Sequence, residues 1–306
     1  MRLLNASGCL DALTAPEVVR SLDAFVTKTI TPLPREGNVP VRIAEVEGGM
    51  LNAIGLANPG IDRFCKEMLP RLAGIEVWAS VGGFSTSDYA ELCARLDDED
   101  VAAIELNLSC PNVDEVTENV GETVAAARGA TSKPLYAKLS PAVPDVAETA
   151  RAAEAAGADG LSLVNTIRGL ALDERTLRPV LARGAGGLSG PALRPIALAA
   201  VHACRGATNL PIVGMGGAST GRHVLELLAA GADDVALGTV LFSDPGAPGR
   251  IRAELEVELA ALGLVDPDNA IGLAHVDDLS SLDSKSRVDT PGDPGKRLHT
   301  GLNVPG

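Results

Sequence analysis

The chain has 306 residues, of which 46% are hydrophobic, and a formal net charge of −14 at pH 7. So negative a chain argues against binding to nucleic acid or to acidic membranes, because both need a basic surface. No apolar run is long enough to span a bilayer and no signal peptide opens the sequence, so we expect a cytoplasmic protein.

Short apolar or β-branched runs alternate along the chain with alanine- and leucine-rich stretches of helical period. The predicted strands are residues 3–6, 24–29, 77–82, 103–109, 135–140, 160–166, 211–216 and 234–239. The predicted helices are residues 15–22, 60–72, 86–97, 117–128, 144–156, 191–204, 219–230 and 246–262. Eight strands, each followed by a helix, indicate an α/β protein with a (β/α)8 TIM barrel. A doubly wound open sheet would carry a glycine fingerprint after its first strand, and none follows residues 3–6.

Two stretches interrupt this alternation. Residues 30–59 are rich in proline, glycine and asparagine and form a long insertion after the second strand, and long ordered insertions are usually functional. Residues 277–306 have no apolar period. We therefore predict one barrel domain over residues 1–265 and a C-terminal extension over residues 266–306, loosely ordered beyond about residue 277.

Polar residues stand at the carboxyl ends of six predicted strands, where barrels place their catalytic groups. In chain order they are Lys28 and Thr29; Asn107, Cys110 and Asn112; Lys138 and Ser140; Asn165 and Thr166; Gly216 and Gly217; and Gly238 and Thr239. The insertion adds Asn52 and Asn58. A single strand-end asparagine is usually a turn residue, but several on one rim favour a binding site. Each lysine, if it faces inward, needs an anion to offset its burial.

Glycine clusters follow the last two strands. The "GMGG" of residues 214–217 precedes Ser219, Thr220 and a predicted helix, and "LGT" at residues 237–239 lies in a similar position. Backbone N–H groups in such turns can hold a phosphate, and barrels build this site after strands seven and eight. A third cluster, "GAGGLSG" at residues 184–190, precedes the helix that begins at Pro191.

The five cysteines are Cys9, Cys65, Cys93, Cys110 and Cys204, and none forms a CxxC pair. We therefore predict neither a metal site nor an iron–sulfur cluster. Free cysteines are commonly buried and inert, and we expect this of Cys9, Cys65, Cys93 and Cys204. Cys110 instead lies on the polar rim before a proline. A thiol there can act as a base if its pKa falls near the working pH. No histidine is placed to assist it, which argues against a Cys–His hydrolase.

Long motifs, in order from about residue 3 to residue 265, resemble the class 1 dihydroorotate dehydrogenases. They are "NASGC" (5–9), "TKTITPLPREGN" (27–38), "GGMLNAIGLANPG" (48–60), "ELNLSCPNV" (105–113), "AKLSP" (137–141), "AAGADGLSLVNT" (155–166), "GGLSGPALRPIAL" (186–198), "PIVGMGG" (211–217) and "ALGT" (236–239). "GGLSGPA" and "GMGG" are most similar to the B-type catalytic subunit. The resemblance implies an FMN-containing barrel that oxidises dihydroorotate to orotate in pyrimidine synthesis.

The resemblance also implies roles for individual residues. Cys110 matches the base that removes a proton from C5 while C6 gives a hydride to the flavin N5. Dihydroorotate contacts are implied for Lys28, Asn52, Gly55, Leu56, Asn107, Asn112, Asn165 and Thr166. Flavin contacts are implied for Ser7, Lys28, Thr29, Asn107, Lys138 and Val164, with Gly190, Gly216, Gly217, Gly238 and Thr239 near the FMN phosphate.

Other functions remain open at this level. The flavin barrel of dihydropyrimidine dehydrogenase shares the Asn-Leu-Ser-Cys-Pro signature, but belongs to a larger protein with iron–sulfur cysteines. Dihydrouridine synthase binds tRNA, which the charge disfavours. A non-catalytic flavin-binding subunit is a third alternative. For partners, the B-type resemblance implies a separate FAD and iron–sulfur subunit, the A-type alternative uses fumarate, and we expect a homodimer.

Overall fold

The computed structural model describes residues 1–108 and 119–275. Within them the strands are β1 Leu3–Asn5, β2 Phe25–Val26, β3 Ile43–Val46, β4 Gly49–Asn52, β5 Val77–Val81, β6 Ala103–Asn107, β7 Leu135–Leu139, β8 Gly160–Leu163, β9 Ile167–Gly169, β10 Gly186–Ser189, β11 Ile212–Met215 and β12 Asp234–Leu237.

The helices of the described residues lie between these strands and after the last of them. They are α1 Pro16–Arg20, α2 Ile61–Arg63, α3 Thr86–Leu96, α4 Val120–Arg128, α5 Val146–Ala155, α6 Arg194–Arg205, α7 Gly221–Ala230, α8 Val240–Ser243 and α9 Ala247–Ala261. α2 continues as a π turn over Phe64–Met68 and a 3-10 turn over Leu69–Leu72, and further 3-10 turns span Pro191–Leu193, Pro267–Ala270 and Leu273–His275.

Eight parallel strands form the barrel, in the order β1-β12-β11-β8-β7-β6-β5-β2. A parallel bridge between Leu4 and Ala24 joins the two ends of this order. The eight strands correspond to the eight that the sequence predicts, and the predicted (β/α)8 barrel is confirmed. The strands are shorter than predicted at their carboxyl ends, because those residues turn away from the ladder to form the rim.

Apolar side chains fill the amino-terminal half of the barrel interior. Trp78 and Tyr136 pack with their ring centroids 4.4 Å apart, among small and aliphatic residues of the other strands. The guanidinium of Arg2 lies 5.1 Å from the Trp78 ring centroid and is bound by Asp234. This end of the barrel is therefore closed, and the open space lies at the carboxyl ends of the strands.

Helix α3 shows why the predicted helices form where they do. The Ser85 side chain accepts a hydrogen bond from the Asp88 N–H, and the Asp88 carboxylate accepts one from the Ser85 N–H. This reciprocal capping box satisfies donors that the first helical turn leaves unpaired. The buried residues recur at helical spacing, which places one apolar face on the barrel; they are Tyr89, Leu92, Cys93 and Leu96.

A second, antiparallel sheet lies outside the barrel, in the order β3-β4-β10-β9. β3 and β4 come from the long insertion, whereas β9 and β10 follow the sixth barrel strand. The sequence analysis missed this sheet and interpreted residues 184–190 as a glycine turn, of which residues 186–189 are strand β10. Glycine fits there because the strands approach closely: a Cβ on Gly49 would lie 1.9 Å from the Ser189 carbonyl oxygen.

The first described residues of the C-terminal extension pack on α7. The Gly272 N–H donates to the Leu228 carbonyl over 2.9 Å, and His275 stacks on His202 with centroids 3.9 Å apart. The rest of the extension lies outside the described residues, so the predicted boundary near residue 277 stays a prediction. No helix in the described part of the chain is both long and apolar enough to cross a membrane.

Candidate active site

A cleft of about 1100 Å³, its open mouth included, lies at the carboxyl ends of the barrel strands. It is lined by fifteen of the residues that the sequence analysis singled out: Ser7, Lys28, Thr29, Asn52, Leu56, Asn107, Lys138, Val164, Asn165, Thr166, Gly190, Gly216, Gly217, Gly238 and Thr239. Gly55 adjoins the lining residue Leu56 without lining the cleft itself. Cys110 and Asn112 lie outside the described residues.

Strand register brings these residues together. Asn107 at the end of β6 is paired with Lys138 on β7, and Lys138 is paired with Ser162 on β8. Parallel strands all end on the same side of the barrel, so polar residues distant in the sequence meet at one rim. Asn52 arrives from the accessory sheet, where its Nδ2 donates to the Gly187 carbonyl over 3.3 Å.

A chain of hydrogen bonds fixes the amide groups on the rim. Asn165 Nδ2 donates to Asn107 Oδ1 over 3.0 Å, and Asn107 Nδ2 donates to Thr29 Oγ1 over 3.0 Å. The Thr29 hydroxyl lies 3.1 Å from that of Ser80. The Thr166 N–H donates to Asn165 Oδ1 over 2.8 Å. Each amide therefore has a defined donor and acceptor end, which suits recognition of a ligand with amide edges.

Lys138 lies in the barrel interior with only 4% of its surface exposed. Its Nζ donates to Ser7 Oγ over 3.0 Å and lies 3.4 Å from a carboxylate oxygen of Glu105, which is 1% exposed. The sequence analysis expected an anion for this lysine but did not identify Glu105. Residues two apart on a strand face the same way. An inward-facing Asn107 therefore indicated that Glu105, two residues earlier on the same strand, also faces the barrel interior.

Lys28 brings a second cation to the cleft. It is half-buried, and its side chain runs past Gly8, where an added Cβ would lie 2.9 Å from Lys28 Cδ. Gly8 also has a positive φ of 77°. Glycine at this position therefore leaves room for the lysine stem to reach the cleft.

Glycine turns form the wall on the side of β11 and β12. Gly216, Gly217 and Gly190 have φ values of 133°, 72° and 100°. A Cβ on Gly217 would lie 2.7 Å from the Gly190 carbonyl oxygen and 2.9 Å from Arg194 Cβ. Beside them, Thr239 Oγ1 donates to Ser189 Oγ over 2.9 Å. This wall presents backbone groups and hydroxyls instead of bulky side chains, as a phosphate cradle requires.

The turn before α2 holds a strained residue at the cleft. Leu56 has a φ of 57°, which is uncommon for a residue other than glycine. Asn58 maintains the turn: its Nδ2 donates to the Leu56 carbonyl and to Thr31 Oγ1, both over 2.7 Å, and its Oδ1 accepts from Gly60 N–H over 2.8 Å. The Asn58 side chain is thus used within the protein, which corrects its interpretation as a rim amide. Strain of this kind concentrates at ligand sites.

Several lining residues were missed by the sequence analysis. Most are apolar and gave no signal, since their types are those of any core; they include Ile43, Met50, Ile54, Leu193, Met215 and Phe242. Ser189 lies within the "GGLSG" motif and could have been found there. The sequence analysis took Cys9 as an inert core cysteine.

Among the described residues, Cys9 is the cysteine that lines the cleft. Burial raises the pKa of the Cys9 thiol above its ordinary value, although Lys138 and Lys28 partly oppose this. A thiol with a raised pKa stays protonated at neutral pH and is a poor base. Cys9 therefore does not replace Cys110 as the candidate base.

The family model described as Dihydroorotate dehydrogenase matches residues 2–259. A relative from Listeria monocytogenes is 43% identical over 275 residues, covering 86% of this chain and 90% of the relative. A relative from Latilactobacillus sakei is 46% identical over 257 residues, covering 80% and 84%, and one from Geobacter sulfurreducens is 45% identical over 268 residues, covering 84% and 88%. All three are named dihydroorotate dehydrogenase B (NAD(+)), catalytic subunit.

Proposed function

The chain belongs to the dihydroorotate dehydrogenase family of FMN-dependent oxidoreductases, and we propose that it is a B-type catalytic subunit that oxidises dihydroorotate to orotate with Cys110 as the base. The observation that carries this proposal is the composition of the cleft. Two lysines, a fixed set of amides and a glycine wall line one space at the carboxyl ends of the strands. That lining matches two ligands: a cofactor that has an electron-accepting ring and a phosphate group, and a small carboxylate with amide edges.

The residues present fit FMN. The glycine wall presents backbone to the cleft, and its tight turns admit no side chain, since a Cβ added to Gly190, Gly216 or Gly217 would collide with neighbouring protein atoms. We assign the phosphate to the backbone of these three residues, with Gly238 and Thr239. We assign the ring to the side of the cleft formed by Ser7, Lys28, Thr29, Asn107, Lys138 and Val164. When bound, FMN supplies the acceptor for the hydride that leaves C6 of dihydroorotate. The two lysines place positive charge where the reduced ring gathers negative charge.

Dihydroorotate would lie against the flavin ring, so that Lys28 and Asn107 would contact both molecules. Lys28 offers a cation for its carboxylate, and Asn52, Asn107 and Asn165 offer amides for its ring edges. The strained turn at Gly55 and Leu56 and the Thr166 hydroxyl complete the set, together with Asn112 from outside the described residues. Because the amides are already oriented by one another, little rearrangement is needed when the substrate binds.

Cys110 is proposed to take the proton from C5. Its assignment comes from the "ELNLSCPNV" motif, since Cys110 itself lies outside the described residues. Asn107 ends strand β6 on the rim of the cleft, three residues before Cys110. Cys9 also lines the cleft, but burial raises the pKa of its thiol and keeps it protonated. A single proton acceptor close to the amide set is what the reaction needs.

Anaerobic mixing of the FMN-loaded chain with dihydroorotate tests this function. The flavin absorbance should bleach, because the hydride passes to the ring and no oxygen is present to return it to the oxidised form. Mixing with dihydrouracil, which lacks the carboxylate, is the control for the role of Lys28 and should bleach far more slowly. A flavin that stays oxidised with dihydroorotate would instead favour a non-catalytic flavin-binding subunit.

The physiological acceptor is proposed to be NAD, reached through a partner subunit that carries FAD and an iron–sulfur cluster. The relatives' names give NAD(+) and the term catalytic subunit. In the sequence of this chain, the glycine motif by which dinucleotide-binding folds hold NAD does not follow any predicted strand. We expect the isolated chain to oxidise dihydroorotate rapidly with an artificial dye and slowly with NAD or fumarate. Parallel steady-state assays measure this; fast turnover with fumarate would indicate an A-type enzyme, and fast turnover with NAD a missed nicotinamide site.

We also propose that two copies of the chain associate through the accessory sheet. Large aliphatic side chains are exposed on and beside it: Val39, Val41, Ile43, Leu170, Leu172 and Leu177. Grouped apolar exposure of this kind marks interaction surfaces. The double substitution Val41→Glu with Leu172→Glu should convert a dimer to monomers in sedimentation equilibrium. Val257→Glu, at a residue 70% exposed on α9, is the matched control; a wild-type chain that sediments as a monomer contradicts the proposal.

A further inference from the structure

Glu105 occupies an unusual place for a carboxylate. It lies in the middle of β6 and is paired with Ser80 on β5 and Tyr136 on β7. Only 1% of its surface is exposed, and within the described residues Glu105 and Lys138 are the charged side chains that are buried. Glu105 does not line the cleft. It lies one layer below, between the cleft and the apolar filling of the barrel.

The partner of Glu105 is the ammonium group that lines the cleft. Glu105 Oε1 lies 3.4 Å from Lys138 Nζ, and the same Nζ donates to Ser7 Oγ over 3.0 Å. A buried carboxylate or ammonium without a counter-charge is strongly unfavourable. Each of these groups therefore offsets the cost of burying the other, and Lys138 is held between the carboxylate below it and the Ser7 hydroxyl.

Glu105 lowers the net positive charge at the cleft. Lys28 and Lys138 bring two positive charges, and Glu105 cancels one of them from below. Interactions between charges are strong in a buried site, because little water is present to screen them. A ring that gains negative charge on reduction would thus meet about one net positive charge in place of two.

Resting on the proposed function, we propose that Glu105 is a positioning residue that acts through Lys138 and sets the reduction potential of bound FMN. It fixes the position of the ammonium group and limits how strongly the cleft favours the reduced ring. Without Glu105 the cleft would hold the reduced form more tightly. Transfer of electrons onward to an acceptor would then be less favourable.

The experiment measures the reduction potential of bound FMN by equilibration with a reference dye, without dihydroorotate. Glu105→Gln keeps the size of the side chain and removes its charge, so the equilibrium constant for reduction should rise at least about tenfold, or about 30 mV for two electrons. Lys138→Gln should lower it by a similar factor. The double variant restores the net charge of the wild type and should return to within about threefold of it.

Ser162→Ala is the matched control, since Ser162 is paired with Lys138 in the strand register and is as buried as Glu105. Its hydroxyl has no hydrogen-bond partner in the described part of the chain, and its loss should leave the potential unchanged. A Glu105→Gln potential that is unchanged or lower overturns the inference. If Glu105→Gln does not fold, the double variant is compared with Lys138→Gln, and equal potentials for those two overturn it as well.

The test separates this inference from the function on which it rests. A wild-type chain that takes up no FMN contradicts both. A chain that binds FMN and is reduced by dihydroorotate, but shows no dependence of its potential on Glu105, contradicts the inference alone.

Discussion

Replacing Cys110 by alanine is expected to lower the rate of flavin reduction by dihydroorotate by a factor of about 10² to 10⁴, with FMN still bound. The loss follows from removing the only group assigned to accept the C5 proton. Cys110→Ser should retain a small part of the rate, because a hydroxyl is a far weaker base than a thiol at neutral pH. In the wild type the rate should rise with pH as the thiol ionises. Stopped-flow absorbance under anaerobic conditions measures all three chains.

Cys9→Ala is the informative companion to this experiment. Cys9 lines the cleft, but burial raises the pKa of its thiol. The thiol should therefore stay protonated at the working pH and be unable to accept the proton from C5. Its replacement is expected to leave the reduction rate within a few-fold of the wild type. Near-normal reduction by Cys110→Ala, together with a large loss in Cys9→Ala, would show that the base had been assigned to the wrong cysteine.

Replacing Gly217 by valine is expected to raise the dissociation constant of FMN at least about 100-fold. The φ of Gly217 is 72°, a conformation that costs a residue other than glycine about 1–3 kcal/mol. An added Cβ would also lie 2.7 Å from the Gly190 carbonyl oxygen, so the turn that we assign to the phosphate must move. Every 1.4 kcal/mol corresponds to a factor of ten in affinity. Titration of the apo chain with FMN, followed by fluorescence, measures the change.

Gly263→Val separates loss of the site from loss of stability. Gly263 has a φ of 70°, almost that of Gly217, but an added Cβ there would have no neighbour within 4 Å among the described residues. Both variants should unfold at a lower temperature, because both carry the same backbone strain. Only Gly217→Val should lose FMN affinity. If the two variants bind FMN equally well, the glycine wall does not hold the phosphate.

Much of the barrel could be predicted from the sequence. Each barrel strand is a short apolar run between turn residues, and helices such as α3 begin at a capping residue and repeat their buried positions every three or four residues. These signals are local, since they depend on residues close together in the chain. The rim residues could be found for the same reason: a polar residue at the end of an apolar run is visible wherever the strand lies in the barrel.

The accessory sheet could not be predicted in this way. Its strands have three or four residues, and Ser189 on β10 is paired with Met50 on β4, far away in the sequence. Strands so short carry no measurable alternation, and only the folded barrel brings the two insertions together. The same holds for Asn58, whose position in the sequence predicts a rim amide but whose side chain closes its own turn.

The sequence by itself thus determined most of the described residues that line the rim, because the order of strands and turns follows from local patterns of polarity. The tertiary structure decided which of those residues face one another and which charges they share. Lys138 shows the difference. Its apolar surroundings in the sequence predicted that it would need an anion, but the identity of that anion depended on the register between β6 and β7, which places Glu105 3.4 Å from its ammonium group. Register is set by the closure of the whole barrel, and no single stretch of the chain contains it.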